Sequence, residues 1–283
     1  CEQKVDVSSM PEPGLPKVDH DYGIGITGVG GTGVITVGAL LGMAAHLEQK
    51  GVTVLDMTGL AQKGGSVFSH VQIAASPDQI HATRIATGEA DLLLGCDAIV
   101  AGSVEALSKL PKGVSHAVVN RAPIPSAEFI TNADWSFPSG SIERELQAAL
   151  GDACEFFDSN ALAVKLLGDS IYANPLLLGY AWQKGWIPLT RASILQAMTL
   201  NAVQVEKNTQ AFEYGRLAAH DLHGLMQQLQ LPTEAPKAPT LDDIIGEEAA
   251  FLTAYQSGRY AQRYREVVQQ IRANEQRAGV DSA

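Results

Sequence analysis

The sequence predicts an α/β protein, a doubly wound domain with a mainly parallel sheet that is completed by C-terminal helices. Three observations support this prediction. Short apolar segments alternate with longer segments whose apolar residues recur at helical spacing. A glycine-rich turn, GVGGTG, joins the first apolar segment to the first helical one. Of the 283 residues, 46% are hydrophobic, which is enough for one large core or two smaller ones.

The first elements predict a right-handed βαβ unit. Residues 23–27 form a short apolar run, and residues 31–50 carry apolar side chains at helical spacing. Gly51 ends this helix, because glycine readily adopts the left-handed conformation found after helices. The following run, VTVLD at residues 52–56, is typical of a parallel strand that is covered on both faces.

A β-hairpin is predicted to interrupt this alternation. Polar and apolar residues alternate over residues 66–73, which indicates a strand with one polar face. We expect this strand to pair antiparallel with residues 80–85 across a turn at Pro77 and Asp78. The hairpin is therefore an addition to an otherwise parallel sheet.

Strands and helices alternate regularly again after the hairpin. The pattern predicts strands at residues 91–96, 115–120 and 153–158, and helices at residues 97–110 and 141–150. Residues 121–140 contain several prolines and predict a long loop between them. Loops of this length usually carry function or make contacts.

The C-terminal half of the chain is predicted to be helical. Helices are expected at residues 161–167, 175–184, 191–200 and 203–229. Residues 232–240 form a Pro-rich linker, and residues 241–283 a helical segment that starts a further module or packs on a partner. Residues 1–21 are polar and Pro-rich, which indicates a linker or tail. The main domain is therefore expected at residues 22–231.

The composition excludes several classes of function. The net charge of -11 and the pI near 5.0 argue against nucleic-acid and membrane-surface partners. Cys1, Cys96 and Cys154 are far apart, and their spacing fits neither a zinc site nor an iron–sulfur cluster. The sequence has no signal-peptide pattern and no apolar run of the roughly 18 to 20 residues that a membrane span requires. We therefore expect a cytoplasmic protein.

The turn GVGGTG contains the pattern G-x-G-x-x-G at Gly28, Gly30 and Gly33. Backbone N–H groups at the start of the following helix could hold a phosphate there. Asp56 follows Gly33 by about the 20 residues that separate the ribose-binding acid from this turn in dinucleotide-binding folds. The alternative is a tight turn that only lets the helix pack closely on the strand.

A second glycine-rich turn follows the second predicted strand. It contains Gln62, Lys63, Gly64 and Gly65, and Lys63 is an isolated cation in an acidic chain. Two glycine turns at neighbouring strand ends would form a crevice with exposed amides, where a lysine suits a phosphate or carboxylate. A solvated hairpin turn is the alternative explanation.

Both turns carry a resemblance to a known family. The segment GVGGTGVITVGALLGMAAHLEQKGVTVLDMTGLAQKGGSVFSHVQIA, with NPLLLGYAWQKGWIPLT at residues 174–190, resembles the gamma domain of the 2-oxoacid:ferredoxin oxidoreductases. Within that family it is most similar to the indolepyruvate ferredoxin oxidoreductases. The resemblance covers residues 22–219, and the tail EEAAFLTAYQSGRYAQRYREVV resembles the start of the helical region that follows this domain in longer members.

The resemblance implies a role within a larger enzyme. Such enzymes decarboxylate a 2-oxoacid oxidatively on thiamine diphosphate, pass electrons through iron–sulfur clusters to ferredoxin, and form an acyl-CoA. The gamma domain is Rossmann-like, packs against the thiamine-binding domains and is implicated in admitting CoA. This sequence lacks a thiamine diphosphate and magnesium motif and a cysteine array. The resemblance therefore implies that those cofactors lie on partner domains or subunits of an oligomeric complex, and that this chain alone is inactive.

The resemblance also implies a set of residues that contact CoA or its phosphates, none of them catalytic and none of them metal ligands. Many family members have Gln at the position of Thr32, so the resemblance supports the backbone role of this residue more than a role of its side chain. The matching residues are Gly28, Gly30, Gly31, Thr32, Gly33, Gln62, Lys63, Gly64, Gly65 and Asn174.

Two other functions stay open at this stage. The first is a free-standing NAD(P)- or FAD-binding oxidoreductase, which rests on the G-x-G-x-x-G pattern and Asp56. The second is a structural docking subunit whose glycine turns pack against a partner and bind no ligand.

Other conspicuous residues have structural explanations. We expect His70 and His81 to be surface or interstrand residues and Cys96 to be a small buried apolar residue. Asn174 precedes Pro175, which predicts a helix N-cap with proline at the first helical position, although the cap could also shape the crevice. Two tryptophans are expected to anchor a core or an interface, Trp182 and Trp186.

Overall fold

A computed structural model describes residues 10–59, 65–122, 139–231 and 240–278. Predictions for residues 1–9, 60–64, 123–138, 232–239 and 279–283 lie outside this part of the chain. The chain forms two compact units, one within residues 1–231 and one within residues 232–283.

The first unit is built on a six-stranded sheet with the order β2-β3-β1-β4-β5-β6. Only β3 runs antiparallel to its two neighbours, and the remaining pairs in the sheet are parallel. The predicted α/β class with a mainly parallel sheet and an added hairpin is confirmed. The strands are β1 (Tyr22–Val29), β2 (Gly51–Thr58), β3 (Ser66–Ala74), β4 (Leu92–Gly95), β5 (His116–Asn120) and β6 (Cys154–Phe157).

The predicted partner of β3 is wrong. Residues 80–85 form no strand, and β3 instead lies between β1 and β2, so its hairpin partner is β2. Since both edges of β3 are already paired, residues 80–85 cross its polar face, where Gln72 Nε2 donates to the Ala82 carbonyl over 2.8 Å. As a further consequence, β1 and β2 are not adjacent, whereas in a simple βαβ unit they would pair directly.

Nine helices are found in the described part of the first unit. They are α1 (Val34–Leu47), α2 (Ala98–Ala101), α3 (Val104–Leu107), α4 (Ser139–Leu150), α5 (Ser159–Leu167), α6 (Ala173–Gln183), α7 (Arg191–Asn201), α8 (Val205–His220) and α9 (Leu222–Gln228).

Two of the predicted helices are each divided by a capping residue. The helix predicted at residues 97–110 is two short helices, because Ser103 leaves the helical conformation and its Oγ accepts from Ala106 N. The helix predicted at residues 203–229 divides at Asp221, whose backbone leaves the helical conformation and whose carboxylate accepts from Gly224 N over 2.8 Å.

The sheet separates two hydrophobic cores, as a doubly wound fold requires. One core packs Ile24 and Ile26 of β1 with α1 and with α5 to α9. The other packs Leu93 of β4 with α2 and α4. Within the first core, α6 and α8 approach closely because Gly179 and Gly215 leave no side chain between the two backbones.

The second unit is an antiparallel pair of helices, α10 (Leu241–Tyr255) and α11 (Gly258–Ala278). Thr240 and Asp243 form a capping box at the start of α10. Arg272 near the end of α11 contacts Asp242 near the start of α10 at 2.6 Å, as the antiparallel alignment requires. Among the described helices of the whole chain, none is long and apolar enough to span a membrane.

Candidate functional site

The first glycine turn connects β1 to α1 at the carboxyl end of the sheet. Gly31 and Gly33 have φ angles of +89° and +88°, a conformation that strains any residue with a Cβ atom. Thr32 lies between them, and its Oγ1 donates to the Val29 carbonyl over 2.7 Å. The helix begins at Val34 and not at Gly31 as predicted, because the two left-handed residues precede its first turn.

The second glycine turn contacts the first one directly. Gly30 N donates to the Gly65 carbonyl over 2.8 Å, and Gly59 N donates to the Ser66 carbonyl over 3.1 Å. A Cβ atom on Gly30 would lie 3.4 Å from the Gly65 oxygen, so the backbones of the two turns are in close contact. Gln62, Lys63 and Gly64 lie outside the described residues.

The two turns enclose a cavity of about 460 Å³. No acceptor within the described ranges receives the backbone N–H groups of Gly31, Gly33 and Val34. Such N–H groups at a helix start are suited to an anionic oxygen. Half-exposed Ile35 adds an apolar wall. The cavity is lined by Val29, Gly30, Gly31, Gly33, Val34, Ile35, Thr58, Gly59, Gly65 and Val67.

Asn174 holds the glycine turn from a helix that is remote in sequence. It is the second residue of α6 and not its N-cap, so that prediction is wrong. Its side chain is buried, and its Nδ2 donates to the Thr32 carbonyl over 2.7 Å. Asn174 therefore stabilises the turn through this hydrogen bond, but it does not line the cavity.

Gly28 permits close packing at the base of the turn. A Cβ atom at this position would lie 2.5 Å from Val34 Cγ2 and 3.2 Å from Cys96 Cβ. Cys96 is buried as predicted, and burial raises the pKa of its thiol to about 12, so it remains protonated and unreactive at neutral pH. The first glycine of the motif thus serves packing, whereas Gly31 and Gly33 shape the cavity.

Asp56 does not occupy the position of a ribose-binding acid. Its Oδ1 accepts from Ser69 Oγ of β3 over 2.6 Å. Because β3 separates β2 from β1, Asp56 lies two strand spacings, about 10 Å, from the strand that carries the glycine turn. This arrangement argues against a dinucleotide site of the usual geometry.

The remaining predictions concern aromatic and titratable residues. His81 is exposed, and the two tryptophans lie in the core of the first unit as predicted. His70 is fully buried in the middle of β3, stacked on Phe68 with ring centroids 4.3 Å apart, so its predicted surface position is wrong and an interstrand position is correct. Burial lowers the pKa of His70 to about 4.

A larger cavity of about 660 Å³ opens at the amino ends of the strands. Its wall includes Asp19, Asp21, Glu89 and Asp91, and Asp91 contacts His20 at 3.0 Å. This lining is anionic and repels phosphate. We therefore place the candidate site at the smaller cavity between the glycine turns.

The described residues offer no group of three His, Cys, Asp or Glu side chains that could hold a metal ion. Cys96 and Cys154 are free and buried, which is unsuited to cluster ligation. Thr58, Gly59 and Ile35 were not predicted as site residues. A glycine three residues after the strand predicted at residues 52–56 was the available signal for Gly59, and no local signal marks Thr58 or Ile35.

A protein-family model matches most of the first unit. Residues 23–218 match the model of the pyruvate ferredoxin/flavodoxin oxidoreductase family. Among curated proteins, the chain is 29% identical over 208 residues to the indolepyruvate oxidoreductase subunit IorB of Pyrococcus horikoshii, covering 72% of this chain and 99% of that protein. It is 30% identical to the same subunit of Methanothermobacter thermautotrophicus, covering 70% of this chain and 98% of that protein.

Solved structures show the same fold at lower identity. Pyruvate oxidoreductase subunit PORC of Thermotoga maritima superposes with a TM-score of 0.51 at 16% identity, covering 70% of this chain and 97% of that one. The 2-oxoglutarate:ferredoxin oxidoreductase of Magnetococcus marinus, solved with 2-oxoglutarate, coenzyme A and succinyl-CoA bound, gives a TM-score of 0.51 at 13% identity. That match covers 77% of this chain and 32% of the other.

Proposed function

Because the chain belongs to the pyruvate ferredoxin/flavodoxin oxidoreductase family, we propose that it is the gamma domain or subunit of a 2-oxoacid:ferredoxin oxidoreductase. We infer that the enzyme depends on thiamine diphosphate and forms an acyl-CoA. The 2-oxoacid is indolepyruvate or another aryl or branched pyruvate, since the curated relatives are indolepyruvate oxidoreductase subunits. The partners are thiamine-binding and iron–sulfur subunits or domains, and ferredoxin is the electron acceptor.

The part of this chain in the reaction is to hold CoA at the two glycine turns. The observation that carries this proposal is the cavity at the carboxyl ends of β1 and β2, with the N–H groups of Gly31, Gly33 and Val34 on its wall, which have no acceptor among the described residues. In doubly wound folds, ligands bind at this end of the sheet. The amides suit the phosphates of CoA, and the apolar wall at Ile35 suits its uncharged arm. Gln62, Lys63 and Gly64 complete the proposed site.

Thiamine diphosphate and the iron–sulfur clusters belong to the partners in this proposal. The described residues provide neither a metal-binding group nor accessible thiolates, so they do not fit these cofactors. When bound to its own subunit, thiamine diphosphate supplies the carbanion stabilisation that decarboxylation requires. The residues of this chain bind and orient the acyl acceptor, and they exclude water from it.

The experiment compares two glycine substitutions in the assembled enzyme. Gly31 and Gly113 both have left-handed backbones and open space around the position of a Cβ atom, but only Gly31 lines the cavity. Substitution by alanine strains each backbone by about 1–2 kcal/mol. We expect Gly31→Ala to raise the KM for CoA about tenfold and leave the KM for the 2-oxoacid unchanged. Gly113→Ala should change neither constant.

Calorimetry of the complex with CoA and with NADH separates this proposal from the dinucleotide alternative. We expect CoA to bind and NADH not to bind. Affinity for NADH without affinity for CoA, or an unchanged KM for CoA in both Gly31→Ala and Lys63→Ala, would contradict the proposed CoA site.

A further inference from the structure

The helical pair of the second unit exposes one apolar face. Phe251 is 63% exposed and Tyr255 is 73% exposed, and their rings stack with centroids 6.2 Å apart. Exposed apolar patches of this kind mark interaction surfaces. We name it the outer face of the hairpin, and its apolar residues are Leu241, Ile244, Phe251, Tyr255, Tyr260, Val267 and Ile271.

The outer face is distinct from the seam that joins the two helices. Ala249 on α10 and Ala261 on α11 are buried against the partner helix, and these two positions define the seam. At 100° per residue, Phe251 and Tyr255 project to one side of the seam on α10, and Val267 projects to the same side on α11. The hairpin therefore uses one apolar stripe for its own packing and leaves a second one without a partner in the described chain.

The charges of the two helices are complementary. α10 carries carboxylates and no cation, whereas α11 carries five arginines and only two carboxylates. Within the described residues, Glu248 of α10 and Arg263 of α11 make no ion pair, and both are exposed. Glu248 lies between Ile244 and Phe251 on the outer face, and Arg263 lies between Tyr260 and Val267. Each helix thus carries, amid its apolar stripe, a charge that the other could neutralise.

This unit lies outside the residues that the family model and the curated relatives match. The family model ends at residue 218, and the curated relatives are matched over 98–99% of their own length by about 70% of this chain.

We propose that the outer face binds the outer face of a second copy of this chain, forming a four-helix bundle. A two-fold axis parallel to the helices places α10 of each copy antiparallel on α11 of the other. Asp242 lies beside Arg272 and the helices turn at residues 256–257, so Glu248 and Arg263 lie at nearly the same height along the hairpin. The axis preserves that height, and each Glu248 meets the Arg263 of the other copy.

The first test measures the mass of the full chain in solution. Light scattering or sedimentation at concentrations from about 1 μM to about 1 mM should show a monomer–dimer equilibrium. We expect Phe251→Asp to weaken the dimer at least about tenfold, because an apolar anchor at the centre of the interface is lost. Val104→Asp is the matched control, since Val104 is an exposed valine of the first unit at 86% exposure, and it should leave the dimer unchanged.

The second test uses the two-fold symmetry of the pairing. Glu248→Arg alone and Arg263→Glu alone should each weaken the homodimer about tenfold, because each places like charges opposite one another twice. A mixture of the two variants should form a heterodimer of wild-type strength, in which both charge pairs are restored. An ion pair within one hairpin cannot give this result.

Three outcomes would overturn the proposal. They are a wild-type chain that stays monomeric over the whole range, a dimer that Phe251→Asp leaves intact, and a mixture of the charge variants that is no stronger than either alone. A dimer that Val104→Asp also weakens would overturn it as well, since the effect would then not be specific to the outer face.

Discussion

His70 lies at the centre of β3 with both ring nitrogens lacking a hydrogen-bond partner among the described residues. Burial is the main reason that its pKa falls to about 4, and the nearby charges of Arg84 and Lys109 lower it further, while Glu105 opposes them. The ring is therefore neutral at pH 7. The folded state therefore has its full free energy of unfolding above pH 6.5. Part of this free energy is lost as the pH falls towards 4, because the buried ring must then be protonated.

We expect His70→Phe to remove this pH dependence. A phenyl ring fits beside Phe68 and has no unsatisfied nitrogen, so the variant should be more stable by about 1 kcal/mol at pH 7. Between pH 6.5 and 4 the free energy of unfolding of the wild type should decrease by up to about 3 kcal/mol, whereas that of the variant should not show this decrease. Urea unfolding followed at several pH values measures both effects. Exposed His81→Phe is the control, and equal pH profiles for the wild type and His70→Phe would contradict this account.

Individual site residues differ in how far the sequence can identify them. The left-handed glycines are predictable, because only glycine tolerates the turn that GVGGTG forms between strand and helix. Asn174 looked like an N-cap because it precedes proline, yet it bonds to Thr32, which is 142 residues away. A contact over that distance in sequence leaves no local pattern.

At the scale of elements, the six strands of the sheet were predictable, but the strand predicted at residues 80–85 does not form and the pairing of β3 was predicted wrongly. Apolar runs identify β1, β4 and β5 because both faces of these strands are covered. The alternation in β3 correctly indicated two unlike faces, but alternation does not show what covers the polar face. The inserted position of β3 depends on hydrogen bonds to two strands that approach from opposite sides.

The contact between α6 and α8 depends on glycine. A Cβ atom on Gly215 would collide with the Leu176 carbonyl, and one on Gly246 of α10 would meet open space. We expect Gly215→Ala to destabilise the first unit by about 3 kcal/mol, because two helix backbones must separate. Gly246→Ala should stabilise α10 by about 0.5–1 kcal/mol, because alanine is the better helix former.

These two effects can be measured separately. All tryptophans of the chain lie within residues 1–231, so fluorescence in a urea titration reports the unfolding of the first unit. Helical circular dichroism reports the hairpin in addition. A Gly215→Ala variant that unfolds at the same urea concentration as the wild type would show that the helices do not depend on this close approach.

The two ends of the sheet have opposite properties. At the carboxyl ends, the cavity whose wall carries amides without an acceptor in the described ranges adjoins Ile35, which is 45% exposed. At the amino ends, an acidic cavity adjoins Val114, which is 62% exposed. β1 has eight residues and therefore separates the two ends by about 26 Å. This distance exceeds the Debye length of about 10 Å at 0.1 M salt, so a charge at one end is screened from the other.

A charge placed at each end therefore tests where the anionic ligand binds. In the assembled enzyme, we expect Ile35→Glu to raise the KM for CoA about tenfold and Ile35→Lys to lower it, because phosphates would face a like charge in one variant and an opposite charge in the other. Added salt should reduce both changes. Val114→Glu and Val114→Lys should have the same KM for CoA. Two results would contradict binding of the anionic ligand at the glycine turns. The first is an equal effect of the two Ile35 substitutions on the KM for CoA, and the second is a KM that the two Val114 substitutions change in opposite directions.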